Sequence, residues 1–183
     1  MTALPKHKLT VQEFLEWAGR QDGKFELVRG EIVAMAREAI QHARVKRAVA
    51  DALTAAMKRA GLPCESFIDG PGVAVEDDSY YVPDATVHCG ERLPGNLSLI
   101  PYPLIAVEVV SPSTERYDLS VKLIDYFTLP SLQHYLVLDL KRRLVLHHRR
   151  GEGSSIPTII VREGSLALDP PELTLALADL FAD

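Results

Sequence analysis

Glu108 interrupts an apolar run, Leu104–Val110 (LIAVEVV), that otherwise reads as a buried strand. A carboxylate taken out of water without a partner costs several kcal/mol, so such a position calls for a cation or a hydrogen-bond network. Two readings stand side by side. Glu108 belongs to a chemical site, or it sits at a fraying strand end and pairs with an Arg or Lys, as structural ion pairs do. Asp84 follows Pro83 and precedes the strand-like Ala85-Thr86-Val87. One acid at the start of a strand and another inside the next can converge on one spot, although Asp beside Pro is also ordinary turn chemistry. Two carboxylates, a backbone carbonyl and waters form a donor set that suits Mg²⁺.

Lys122 is the third residue of this kind. It lies about 60° round a helix from Leu119, at ~3.6 residues per turn, and so borders the apolar stripe Leu119, Leu123 and Phe127. Its long stem could reach back to a sheet. The competing reading is an Asp118–Lys122 pair at i,i+4 spacing, worth only ~0.3–0.5 kcal/mol. Glu26, in Phe25-Glu26-Leu27-Val28, alternates with Phe25 and Leu27, so it faces solvent or a cleft if those two face the core. His42 opens the apolar stripe of a long helix, where a lone His is more often a satisfied core residue than a ligand. His147-His148-Arg149-Arg150 is a small basic run; most such runs are solvated faces, with a phosphate-contacting edge as the alternative. No local signature points to a Ser-His-Asp or Cys-His arrangement, and neither GxGxxG nor a P-loop occurs.

The elements that must position these residues follow from patterning. Leu9 to Ala18 reads as a short helix, with Thr10 as N-cap and Glu13 as capping-box partner. Phe25–Val28 and Glu31–Met35 read as strands around Arg29-Gly30. A long helix spans Glu38 to Ala60, with Val45, Val49, Leu53, Ala56 and Ala60 on one stripe and Gly61 and Pro63 at its end. Cys64–Ile68 and Gly72–Val75 flank Asp69-Gly70 and predict a hairpin. Strands follow at Val82–His88 and Leu104–Val110. Ser111-Pro112-Ser113-Thr114 comes next, with Ser113 or Thr114 able to cap a helix from about Glu115 to Leu129. Strands Tyr135–Leu140 and Leu144–His148 close the sheet. The tail from Pro157 reads as a strand or two and a short helix. The order is a mixed α/β arrangement with a central sheet and helices on its faces.

Length and composition bound the classes. At 183 residues, 47% hydrophobic and 25% charged, the chain fits one soluble domain: an N-terminal helix about 10–18, a core about 25–150 and a C-terminal extension about 155–183. The net charge of −5 argues against non-specific coating of nucleic acid, without excluding a local basic groove around an acidic site. Cys64 and Cys89 have no neighbouring Cys at zinc spacing; reduced thiols in an intracellular protein are the simpler reading, with a disulfide as the alternative. Met1 to Thr10 has no apolar signal-peptide core and no apolar run spans a membrane, so a cytoplasmic protein is expected.

Taken as an ordered set, these residues resemble the Uma-type family of restriction endonuclease-like proteins, within the PD-(D/E)XK nuclease superfamily. The matching pieces are Phe25-Glu26-Leu27-Val28-Arg29-Gly30-Glu31, His42, Val82-Pro83-Asp84 and Glu108-Val109-Val110-Ser111-Pro112-Ser113-Thr114. Then come Asp118, Lys122 and Tyr126 at four-residue spacing, and His134-Tyr135-Leu136-Val137-Leu138-Asp139. The EVVSPST string followed by Asp-x-x-x-Lys-x-x-x-Tyr is the most specific. The resemblance implies a restriction endonuclease-like core. It implies Asp84, Glu108 and the Val109 carbonyl as metal ligands, Lys122 as the positive charge, Glu26 as a further acid beside the metal and His42 lining the cleft. The superfamily's usual lysine position, two residues after the glutamate, is Val110; here the lysine comes from the following helix.

The expectation is a Mg²⁺-dependent endonuclease, with Mn²⁺ as a substitute, acting on DNA. The metal would activate a water and bind the scissile phosphate. Lys122 would help orient and deprotonate that water and stabilise the phosphate oxygens, and Glu26 could place a second metal or orient a water. A homodimer follows by analogy with the fold, and no membrane partner is expected. The rivals are an inactive nuclease-fold module that binds nucleic acid or protein, and a metal-dependent hydrolase of small phosphate esters, which the acidic pI of about 5.7 suits.

Overall fold

The computed structural model describes residues 7–110 and 118–181, with the backbone alone for 118 and 119. In chain order the elements are α1 (Val11–Ala18), β1 (Phe25–Val28), β2 (Glu31–Ala34), α2 (Ile40–Ala60), β3 (Cys64–Ile68), β4 (Val73–Val75), β5 (Ser79–Tyr81), β6 (Ala85–Cys89) and β7 (Pro103–Val110). A π-helical turn (Asp118–Lys122) then leads into α3 (Leu123–Thr128), β8 (His134–Asp139), β9 (Leu144–Arg149), β10 (Thr158–Val161), β11 (Ser165–Leu168), β12 (Leu173–Ala176) and α4 (Leu177–Leu180). The Ser111–Thr114 segment and the expected helix start at Glu115 lie outside the described residues.

Among the described residues, the central sheet has six strands in the order β10-β9-β8-β7-β6-β3. β7 and β8 are parallel, and their neighbours pair antiparallel. A parallel pair needs a crossover connection, and the chain between β7 and β8 carries the π-helical turn and α3. Lys122 is therefore delivered over the strand that bears Glu108. Alternation sorts the side chains of β7. Ile105, Val107 and Val109 join the core that contains Val45, Val49, Leu53 and Met57 of α2 together with β11, β12 and α4. Ala106 and Val110 join the core on the opposite face, with Tyr81, Tyr126 and Tyr135. Glu108 lies between Ala106 and Val110 and shares that second face.

A four-stranded sheet, β2-β1-β5-β4, carries Glu26 and Tyr81. α1 docks on it through Phe14 and Trp17, which pack with Leu27 and Tyr80. The start of α1 has the expected form: Thr10 Oγ1 accepts from the Glu13 amide while the Glu13 carboxylate accepts from the Thr10 amide. α2 ends at Gly61 in the left-handed conformation (φ 64°), which glycine adopts without strain. It begins at Ile40, two residues later than the pattern indicates.

Three expectations are corrected. The hairpin between Cys64–Ile68 and Gly72–Val75 does not form, because β3 pairs with β6 in the six-stranded sheet while β4 pairs with β5 in the other. Ser79–Tyr81, a strand the pattern did not separate, supplies β4 with its partner. Cys64 and Cys89 are not reduced thiols: the β3–β6 register sets them directly opposite, 4.0 Å apart at Cα, and a disulfide joins them. The basic run is not a solvated face, since His147 and His148 are buried in β9. The Arg150 guanidinium instead caps the carbonyls of Phe127, Leu129 and Leu132. No described helix is long and apolar enough to cross a membrane.

Candidate functional site

Glu108 and Lys122 meet on the tyrosine-lined face of the sheet. Lys122 Nζ donates to Glu108 Oε1 at 2.8 Å and to Glu26 Oε1 at 3.0 Å. All three side chains are buried, so the charges are compensated where water cannot reach them easily. Glu108 is thus no fraying end: it sits within β7 and is 5% exposed. Tyr126 donates its hydroxyl to the same Glu108 oxygen at 3.3 Å. The Tyr81 ring lies 5.4 Å from Lys122 Nζ, a cation–π distance, and the Tyr81 hydroxyl donates to Asp125. Lys122 stands where the π-helical turn meets α3, and the wider turn is of a kind often found at functional sites. Among the described residues its ion pairs include Glu108 and Glu26; the Asp118 side chain lies outside the described residues. Glu26 also accepts from the Val82 amide at 2.9 Å, which ties β1 to the strand connection just before Asp84.

Asp84 is buried immediately before β6. The β6–β7 register pairs Ala85 with Val107, and one further step sets Asp84 across from Glu108. Its Oδ2 accepts from the Val109 amide at 2.6 Å, a charge-assisted bond next to Glu108 in the chain. His42, in the first turn of α2, places Nε2 at 3.2 Å from both Asp84 oxygens. One helical turn on, Lys46 is 3% exposed. Its Nζ lies 2.6 Å from Glu38 Oε2, 2.7 Å from Asp69 Oδ2 and 3.7 Å from Asp84 Oδ1. Burial alone would lower the Lys46 pKa. The hydrogen bonds to Asp69 and Glu38 and the charge of Asp84 outweigh it and hold the ammonium above the ordinary lysine value. Asp69 is also paired with Lys24 at 2.9 Å. Burial would raise its pKa, but the two lysines hold it below the usual carboxylate range.

All five residues singled out in the sequence therefore lie in one contact network: Glu26, Glu108 and Lys122 on one side, His42 and Asp84 on the other, with the Val109 peptide between them. Lys46, Glu38 and Asp69 escaped the sequence reading. Lys46 is four residues after His42 and next to Val45 on the apolar stripe, which is the one signal that could have found it.

The donor set can be tested against a metal. Asp84, Glu108 and the Val109 carbonyl are hard oxygens, as Mg²⁺ prefers. The contacts above join five carboxylates to three lysines among the described residues. Among the described residues, no group of three or more His, Cys, Asp or Glu is placed to hold a metal ion by itself. By donor chemistry alone, two carboxylates and a carbonyl suit an ion that keeps several waters better than they suit zinc.

The chain is similar to known proteins over most of its length. Residues 11–179 match the model of the Uma2 family, described as "Putative restriction endonuclease". The uncharacterized protein slr1290 of Synechocystis sp. is 32% identical over 151 residues, covering 81% of this chain and 78% of its own length. The uncharacterized protein sll1609 of the same organism is 28% identical over 145 residues, covering 78% and 81%. The crystal structure of "a putative nuclease belonging to DUF820" from Anabaena variabilis superposes with a TM-score of 0.75 at 19% identity, over 95% of this chain and 98% of that one. The central mixed sheet with its flanking helices is the restriction endonuclease-like fold. With a family match that runs from the first helix to the last, the chain belongs to the Uma2 family of restriction endonuclease-like proteins.

Proposed function

We propose that this protein is a metal-dependent endonuclease that hydrolyses phosphodiester bonds in DNA, with Asp84, Glu108 and Lys122 as its catalytic residues. The observation that carries the reading is the buried contact of Lys122 Nζ with Glu108 and Glu26, beside an Asp84 carboxylate that accepts the neighbouring Val109 amide. Three residues far apart in sequence come together there in the order and chemical types that the resemblance implies.

Asp84, Glu108 and the Val109 carbonyl would hold Mg²⁺, with Mn²⁺ as a substitute. When bound, the ion supplies Lewis acidity and lowers the pKa of a coordinated water. Lys122 donates to the two carboxylates and supplies positive charge where negative charge builds on the phosphate oxygens. Glu26, held by the Val82 amide, orients Lys122 and offers a carboxylate oxygen to an attacking water. His42 lines the Asp84 side. Tyr126 keeps Glu108 in register with Lys122. A second copy of the chain belongs to the same reading, since a restriction-like cut through both strands needs two sites.

The test is cleavage of a DNA panel with Mg²⁺ or Mn²⁺ by the wild type and by Asp84→Ala and Glu108→Ala. Cleavage by the wild type alone is the expected result. Activity that persists in both variants assigns the cutting to another site or a contaminant and overturns the proposal. Light scattering, with two copies expected, tests the oligomeric state separately.

A further inference from the structure

Lys46 is the buried charged side chain beside Asp84 that the reaction scheme leaves without a role. Its ammonium binds acids from three separate segments: Glu38 ahead of α2, Asp69 after β3 and Asp84 ahead of β6. Glu38 in turn approaches His42 Nε2 at 3.9 Å, and the same nitrogen is 3.2 Å from both oxygens of Asp84. The Asp84 carboxylate is thus held from the helix side by Lys46 and His42, and from the sheet side by the Val109 amide. We propose that Lys46 is a positioning residue for Asp84, acting directly and through Glu38 and His42. The site then has two lysines: Lys122 for Glu108, and Lys46 for Asp84.

The alternative is a purely structural counter-ion. Lys46 would then matter only because Glu38 and Asp69 need a cation, and a variant that removes charge from both sides would restore everything. Glu38 and Asp69 have side chains 33% exposed, so water can take over part of their solvation. Asp84, with its side chain 11% exposed, has less access to that remedy. Removing Lys46 therefore falls hardest on the orientation of Asp84.

The consequence of this role for catalysis rests on the nuclease reading; the orientation of Asp84 does not. The primary readout is accordingly the Val109 amide proton, which the Asp84 carboxylate holds. In Lys46→Met/Asp69→Asn, which keeps the lysine–acid balance, NMR should show the Val109 amide moving upfield. Its exchange should speed up on the order of tenfold, the scale of weakening a bond to a charged acceptor. The amides of Val107 and Leu136 in the same sheet should be unmoved, and Asp84→Ala gives the limit of complete loss. Lys46→Gln alone gives the same readout if the double variant does not fold. Under the nuclease reading, kcat for DNA falls in these variants while KM is little changed. A Val109 amide that matches the wild type in a folded variant overturns the proposal, as does loss of the folded state in both variants, which would make Lys46 a structural counter-ion. A shifted Val109 amide in a protein that cleaves no DNA leaves the positioning role standing and removes the nuclease reading.

Discussion

Two regions of the central sheet bury polar groups, and they meet the same desolvation penalty in opposite ways. At the Asp84–Glu108 site every acid faces a lysine, a histidine or an amide. On β8 and β9, His134, His147 and His148 are buried and burial keeps them neutral. The Pro170 carbonyl can only accept, so His134 Nε2 carries the proton there and His134 Nδ1 accepts from His147 Nε2. His147 Nδ1 is left as a buried acceptor without a hydrogen-bond partner among the described residues. Burial first, then the neighbouring His134, Arg149 and His148, push the His147 pKa down to about 4. The difference teaches where to look for chemistry. A buried ionisable group needs a built counter-charge, and that construction sets apart the end of the sheet proposed as reactive; neutral histidines serve the packing of the C-terminal segment.

The comparison breaks most visibly in activity. Glu108→Ala and Asp84→Ala should each lower DNA cleavage by on the order of 10³-fold, measured as single-turnover rate, if the charged region is the reactive one. The histidine region should tolerate His148→Gln with little change in that rate; a comparable loss there would erase the distinction. In stability, Lys122→Met leaves Glu108 and Glu26 without their buried cation and should cost about 3–5 kcal/mol in urea denaturation. Glu108→Gln in the same chain should recover much of it. Acid provides the next test. The folded-state pKa of His147 lies below the unfolded value of 6.5, so between pH 6.5 and about 4 the unfolded chain binds the extra proton. The contribution is full above pH 6.5 and is lost as the pH falls toward 4, on the order of 3 kcal/mol. His147→Gln should flatten that slope; an unchanged slope would place the acid sensitivity elsewhere. As a baseline, Arg47→Ala should leave the urea midpoint unchanged within error, because water screens the exposed Arg47–Asp51 pair.

Much of the site was legible because buried charge disturbs an apolar pattern. Glu108 stands out inside LIAVEVV, and Asp84, Lys122, Glu26 and His42 gain meaning from the order in which they occur. The strands of the central sheet were legible from their apolar runs, and α1 from its capping box. What remained hidden depends on pairing over distance. Nothing local tells β3 to pair with β6 across 25 residues, so the false hairpin and the reduced cysteines are one error with one cause. Lys46 hid for a related reason. Its three acids come from three segments, and on the helix alone it looks like a charge intruding on a stripe. The histidines of β9 were misjudged because two Arg residues follow them and suggest a wet surface, whereas both faces of β9 are covered and β10 pairs along its edge.

The bond between Cys64 and Cys89 closes a ring of chain that contains β4, β5, Asp69 and Asp84. A protease that nicks the backbone anywhere inside that ring leaves a single covalent molecule, with both fragments still tethered beside the sheet. Such a clipped form would run intact on a non-reducing gel and separate in two on a reducing one.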